Sequence, residues 1–236
     1  MILVLAEGAD RAAVAFADDL AGVTAASLFT CRDLAEQPFA LRHPDLDGSA
    51  LTAGGRTIPL ADLRGVINLL PAVLPGELVF YPPEERDYQS AELHALLTAL
   101  LSILPCRVVN RATPAGLTGP FNNPLGWHHL ARRLSIPTAP LTIDSAAFVN
   151  PFTPPAGSER TEVGYLAGSL FAPSGTEADR HTVALARAAG VEYLRAAYIS
   201  LDSRLALHSA GTVPDVRDPT GHRALIELLA RAGSAR

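Results

Sequence analysis

The chain has 236 residues, 48% of them hydrophobic, enough to bury a sizeable core in one domain or in two closely packed lobes, and this composition excludes a disordered chain. Its formal net charge is -5, and its 19 basic residues, all arginines, form no run. That excludes the clustered positive charge needed for non-specific binding to nucleic acid or an anionic membrane. With no lysine, the chain is also closed to any mechanism that needs a lysine amine.

In chain order, "MILVLAEGADRAAVAFADDLAG" reads as a buried strand, a turn at Gly8 and an amphipathic helix, and "VTAASLFT" follows as a second strand. This βαβ opening predicts a parallel sheet. "ALTAGGRTIPL" predicts a hairpin around Gly54 and Gly55, and "LRGVINLL" a buried strand. "PPEERDYQSAELHALLTALLSILP" is the strongest helix: Pro83 opens it, acids fill its first turn, and Leu93, Leu96, Leu97, Leu100, Leu101 and Leu104 form one stripe. "CRVVN" then reads as a strand and "NPLGWHHLARRLSI" as a helix. Residues 143–162, rich in Pro, Ser and Thr and without a sustained period, read as a linker. Beyond it come a strand pair in "VGYLAGSLFA", a helix with a Ser174/Glu177 capping box and a Gly190 stop, a second strand pair in "YLRAAYISLD" and "RLALHS", and a last helix in "DPTGHRALIELLARAG".

The pattern predicts an α/β fold: a parallel-sheet lobe over 1–142, the linker, and a smaller α+β lobe over 163–236. The longest apolar run, "LHALLTALLSILPC", is too short to span a bilayer, and "MILVLAEGADR" lacks the basic start of a signal peptide, so a cytoplasmic protein is expected.

Few motifs carry chemistry. Gly8 sits where a phosphate-binding turn would, but "AEGADRAA" has neither a G-x-G-x-x-G nor a P-loop pattern and reads as an ordinary βα turn. His43, Asp45 and Asp47 in "RHPDLDG" could meet an oxygen-loving cation, yet the distal Glu of a calcium loop is missing and a solvated loop is the expectation. His128 and His129 are adjacent on a helix, diverge by roughly 100° and cannot easily share one metal. Cys31 and Cys106 form no redox or zinc spacing, and no G-x-S-x-G nominates a nucleophile. No metal or cofactor is therefore expected. The informative polar set is "EERDYQSAE", where Glu85, Tyr88 and Glu92 share a helix face and Arg86 points elsewhere. Two accounts fit it: an acidic helix start that complements the macrodipole, or an anchor for Asn110, Asn122 and Asn123.

At these residues a family resemblance enters. "VINLL", "ERDYQSAELHALLTALLSILPCRVVN" and "PLGWHHLARRLSIPTAP", over about residues 60 to 142, resemble the N-terminal part of ATP-grasp ligases that modify ribosomal peptides. The tail, "ALARAAGVEYLRAAYIS" to "LALHSAGTVPDVRDPTGHRALIELLA", resembles the end of the same enzymes, with Pro214 and Asp215 reproducing a Pro-Asp pair. There the resemblance implies a nucleotide-metal site completed by an acid on one strand and E-x-N on the next. Laid on that pattern, the acid falls at about Ala197 or Tyr198 and the Glu and Asn at about Ser209 and Gly211, so Ser209, Gly211 and Asp215 form a remnant loop whose ligands are absent. Magnesium needs carboxylate and amide oxygens that Ser and Gly do not supply. The family's phosphate-binding lysines are also missing, and only the short linker stands where the family inserts part of its ATP clamp.

The expectation is a non-catalytic ATP-grasp-like protein, a pseudoenzyme acting as a partner or recognition subunit in peptide or small-metabolite modification. It would engage another protein, a peptide or itself, and "FVNPFTPP" and "LLPAVLPGELVFYPP" are the candidate contact segments. The alternatives are a reduced ATP-dependent carboxylate-amine ligase using arginines on phosphate, or a small-molecule binding protein using the crevice near Gly8, Asn110 and Asn122.

Overall fold

The computed structural model describes residues 1–42, 46–53, 55–120, 123–141, 158–201 and 204–234. His43, Asp45, Asn122 and most of the 143–162 segment, "FVNPFTPP" included, lie outside them. The chain divides into two units, Met1–Gly119 with Val213–Arg236, and Pro120–Thr212.

The first unit opens on β1 (Ile2–Leu5), all four residues buried, as a strand covered on both faces must be. Asp10 caps α1 (Arg11–Ala21) by accepting from the Ala12 amide at 3.0 Å, and the helix buries Ala13, Phe16, Ala17 and Leu20. β2 (Ala26–Phe29) runs parallel to β1. A short helix that the sequence reading passed over, α2 (Cys31–Glu36), starts with a reciprocal cap: the Thr30 hydroxyl accepts from the Asp33 amide and the Asp33 carboxylate from the Thr30 amide.

The hairpin β3 (Ala50–Ala53) and β4 (Arg56–Pro59) stands where it was expected, with Gly55 at φ +74°. β5 (Gly65–Asn68) pairs parallel with β1, and β6 (Arg107–Val109) with β5, giving the order β2-β1-β5-β6. Between them, α3 (Arg86–Ile103) follows a 3-10 turn at Pro83–Glu85 and buries Ser90, Leu93, Leu97, Leu100 and Leu101. The Ser90 hydroxyl donates to the Val73 carbonyl at 2.8 Å, which fastens the long loop after β5 to the helix.

The second unit places α4 (Pro124–Arg133) and α5 (Glu177–Ala189) on one face of an antiparallel sheet ordered β10-β9-β7-β8. Its strands are β7 (Arg160–Leu166), β8 (Ser169–Leu170), β9 (Tyr193–Leu201) and β10 (Arg204–Gly211). The Gly190 stop is present in left-handed conformation. The expected Ser174/Glu177 box is not: Thr176 caps α5, while the Ser174 hydroxyl and amide both donate to Asp179. The cap sits two residues later because the Ser-Gly-Thr turn closes on the second acid of the helix.

The last helix, α6 (Pro219–Ser234), returns to the first unit. There Leu225 and Leu229 are fully buried, about 1.5–3 kcal/mol each, His222 meets Phe16 edge-on at 5.1 Å, and Arg217 pairs with Asp10 at 3.0 Å. The contacts thus set the division before α4, where the sequence reading set a boundary at 142 and kept α6 in the second lobe. Among the described residues, no helix is long and apolar enough to cross a membrane.

Candidate functional site

In the first unit the sheet changes direction at β1, whose neighbours β2 and β5 lead the chain to opposite sides. The carboxyl ends at such a switch are where open α/β sheets take ligands. Glu7 follows β1 there, and burial first, then the neighbouring Glu77 carboxylate, pushes its carboxyl up to about 7. Its Oε1 is buried with no hydrogen-bond partner among the described residues. Glu77 is anchored by the Leu74 amide at 3.0 Å. The Cys31 thiol, at the start of α2, is pushed up to about 12 by burial and then by the two acids, so it is a poor nucleophile. Asn68, at the end of β5, is fully buried, donating from Nδ2 to the Leu117 carbonyl at 2.7 Å and accepting from the Leu70 amide at 3.0 Å.

In the second unit the two faces of the sheet differ. Val163, Tyr165, Leu194, Ala196, Tyr198 and Leu207 join the helices in one core. Directly opposed residues of a ladder share a face, so the pairings define two rows on the other face. Glu162, Ala197 and Ser209 form one row, and Gly164, Arg195 and Gly211 the next. Glu162 is clamped at both carboxylate oxygens: Arg160 Nη2 lies 2.6 Å from Oε1, and Arg195 donates through Nε at 2.8 Å to Oε2. The Phe171 ring covers Gly164 and stacks on Tyr193 at 5.7 Å. The ladder slips between Leu207 and Ser209, and His128 Nε2–H donates to the His208 carbonyl at this bulge, 3.1 Å away.

Ala197 and Tyr198 lie on opposite faces of the sheet. Tyr198 faces the helices, its hydroxyl 2.9 Å from Thr182 Oγ1 in the buried core, so the residue sharing a face with Ser209 is Ala197. Ser209 is half-buried and Gly211 exposed at the end of β10. Asp215 belongs to the first unit, where its Oδ1 accepts from the Arg217 amide at 3.0 Å in a local turn.

The helix-start residues do not converge on Asn110 or Asn123, the two candidate asparagines among the described residues. Glu85, Tyr88 and Glu92 do share a face of α3, but it is the solvent side, with Tyr88 65% exposed, and their side chains make no hydrogen bond or ion pair among the described residues. Arg86 turns back and donates to the Tyr81 carbonyl at 3.0 Å, which holds the preceding loop. Asn110 is fully buried after β6, and Asn123 caps α4 by accepting from the Gly126 amide at 2.7 Å. Of the cation candidates only Asp47 is described, and it is exposed. In the segment 69–83, Leu74 and Val79 are exposed while Val73 and Leu78 are buried.

Sequence reasoning passed over Glu7, Asn68, Glu162 and Arg195. A polar residue inside the apolar "VINLL" was a usable signal for Asn68, whereas Glu162 and Arg195 become partners only through a register that the sequence does not print.

The chain shares its fold with solved structures of ATP-grasp ligases and a macrocyclase bound to precursor peptides. Three solved structures carry the comparison. The macrocyclase MdnC bound with precursor peptide MdnA from Microcystis aeruginosa MRC is 12% identical, with 98% of this chain and 100% of that one covered and a TM-score of 0.71. The ATP-grasp ligase PsnB complexed with minimal precursor is 14% identical, with 98% of each chain covered and a TM-score of 0.62. The Chryseobacterium gregarium RiPP-associated ATP-grasp ligase in complex with ADP, and a leader and core peptide, is 9% identical, with 98% and 94% covered and a TM-score of 0.55. No protein-family model matches the chain, and no curated protein matches it.

Proposed function

We propose that this protein is a non-catalytic ATP-grasp-fold protein that serves peptide modification as a partner or recognition subunit. The observation that carries the reading is the row Glu162, Ala197 and Ser209 beside the row Gly164, Arg195 and Gly211. By the resemblance, Ala197, Ser209 and Gly211 stand where the ligases hold a nucleotide-bound metal. None of the three offers a carboxylate or amide side chain. The carboxylate left on those rows, Glu162, has both oxygens engaged by guanidinium groups. A magnesium ion entering there would have to displace two arginines and would meet the positive charge of Arg195, a poor exchange for a hard cation that binds through anionic oxygen.

Similar structures solved with precursor peptides support a peptide as the partner's chemistry. Titration with ATP, with and without magnesium, tests the non-catalytic reading. A second reading, a small-molecule binding protein, is favoured by the buried, unpartnered Oε1 of Glu7 at the switch point of the parallel sheet. Magnesium-dependent nucleotide binding would favour instead a reduced ATP-dependent ligase.

A further inference from the structure

One side of α4 is built at helical spacing from Leu125, His128, His129, Arg132 and Arg133, which together line one open pocket. The other side holds Trp127, Leu130 and Ala131 in the core of the second unit, and His128 is tied to the carbonyl of His208. Packing therefore fixes which way the polar side faces. Leu125 is 57% exposed, and His129, Arg132 and Arg133 are exposed beside it. Among the described residues, no carboxylate lines the pocket and neither arginine makes a side-chain hydrogen bond or ion pair. Basic residues in a last turn complement the helix dipole, which accounts for their position but leaves their donors unused. In a chain of net charge -5, this face is a local reversal of sign around an exposed leucine.

We propose that this face of α4 docks an acidic peptide, which presents carboxylates to Arg132, Arg133 and His129 and an apolar side chain to Leu125. The proposal rests on the peptide-partner reading above and adds the partner's chemistry. The guanidinium fork takes a carboxylate through two parallel hydrogen bonds, and complementary charge selects against a basic partner.

The test is fluorescence anisotropy on the full chain with two labelled synthetic peptides, one alternating Glu and Leu, the other alternating Lys and Leu, and with inorganic triphosphate as competitor. The acidic peptide is expected to bind, more weakly as salt rises, and the basic one to fail. Arg132→Glu with Arg133→Glu should weaken binding by about tenfold or more, Leu125→Ala by less; the reversed pair should lower the thermal midpoint only modestly, through the lost complement to the helix dipole, and Leu125→Ala little, since the sites are exposed. The pair Arg132→Gln and Arg133→Gln, which removes charge without reversing it, should fall between. Equal binding by wild type and the reversed variant overturns the proposal, as does no binding of the acidic peptide. Triphosphate binding without peptide binding would make this a general anion site, and a drop in sedimenting mass in the reversed variant would make it an interface between copies; either overturns it. Magnesium-dependent ATP binding, which would overturn the non-catalytic reading, leaves these outcomes unchanged.

Discussion

Ala197 on β9 lies directly across the ladder from Ser209 on β10, on the face opposite the helix-packed core. A methyl and a hydroxyl thus face each other where the resemblance implies two acids. Adjacent to them, Arg195 is flanked by Gly164 and Gly211 and reaches Glu162 rather than an anionic ligand. On the proposed non-catalytic reading, these two rows keep the strand framework without side chains that would hold a metal.

The Arg160–Glu162–Arg195 clamp holds that face together. Glu162→Ala would leave two guanidinium groups side by side without a counter-charge. A loss of about 1 kcal/mol is expected, modest because all three side chains are partly exposed. Urea midpoints measure it, and the loss should grow at low salt, where the remaining repulsion is less screened.

The Tyr198 and Thr182 hydroxyls form a buried relay in which Thr182 also donates to the Ala178 carbonyl at 2.8 Å. Tyr198→Phe and Thr182→Val should each cost about 1–2 kcal/mol, the first by removing a bond in a buried site, the second by stranding the Tyr198 hydroxyl. Together they should cost less than the sum of the two, because no polar atom is then left alone. A double-mutant cycle in urea measures the difference.

Glu7 gives the protein a pH dependence of defined sign. Its folded value of about 7 exceeds the ordinary 4.5, so the folded state holds this proton more tightly than the unfolded chain. Stability is unaffected below about 4.5, falls as pH rises from there to about 7, and carries the full penalty above. Water screens the half-exposed site, leaving about 1–2 kcal/mol. Glu7→Gln should therefore raise the thermal midpoint at pH 8 and leave it nearly unchanged at pH 4.

Gly164→Ala should be severe, since an added methyl would collide with the Phe171 ring stacked on Tyr193. A loss of about 2–3 kcal/mol is expected, against about 1 kcal/mol for Gly190→Ala, where the left-handed conformation is strained but the space is open. Thermal denaturation ranks the two.

Much of the fold was legible because local signals and tertiary packing agree in it. The leucine stripe of α3 buries five of its six marked residues, with Leu96 partly buried against them, and the hairpin has Gly55 at φ +74° in its turn. Where α6 docks was not legible, since an amphipathic helix states that it has an apolar side and not which sheet receives it. The site was half legible. The residues at Ala197, Ser209 and Gly211 could be placed by resemblance, but their common face depends on a ladder register with a bulge at His208. Glu85, Tyr88 and Glu92 were correctly assigned to one helix face, yet periodicity alone cannot say whether that face meets another polar group or water.

The most direct test of the central claim is isothermal titration of the purified protein with ATP and a non-hydrolysable analogue, with and without magnesium, paired with thermal denaturation. A ligand that binds the folded state must stabilise it, by about 2.7 kcal/mol at a hundredfold excess over Kd. The account predicts no heat and no shift in any of these conditions. Saturable, magnesium-dependent heat with a raised midpoint would contradict it, and would mean that a nucleotide-metal site exists in this chain away from Ala197, Ser209 and Gly211.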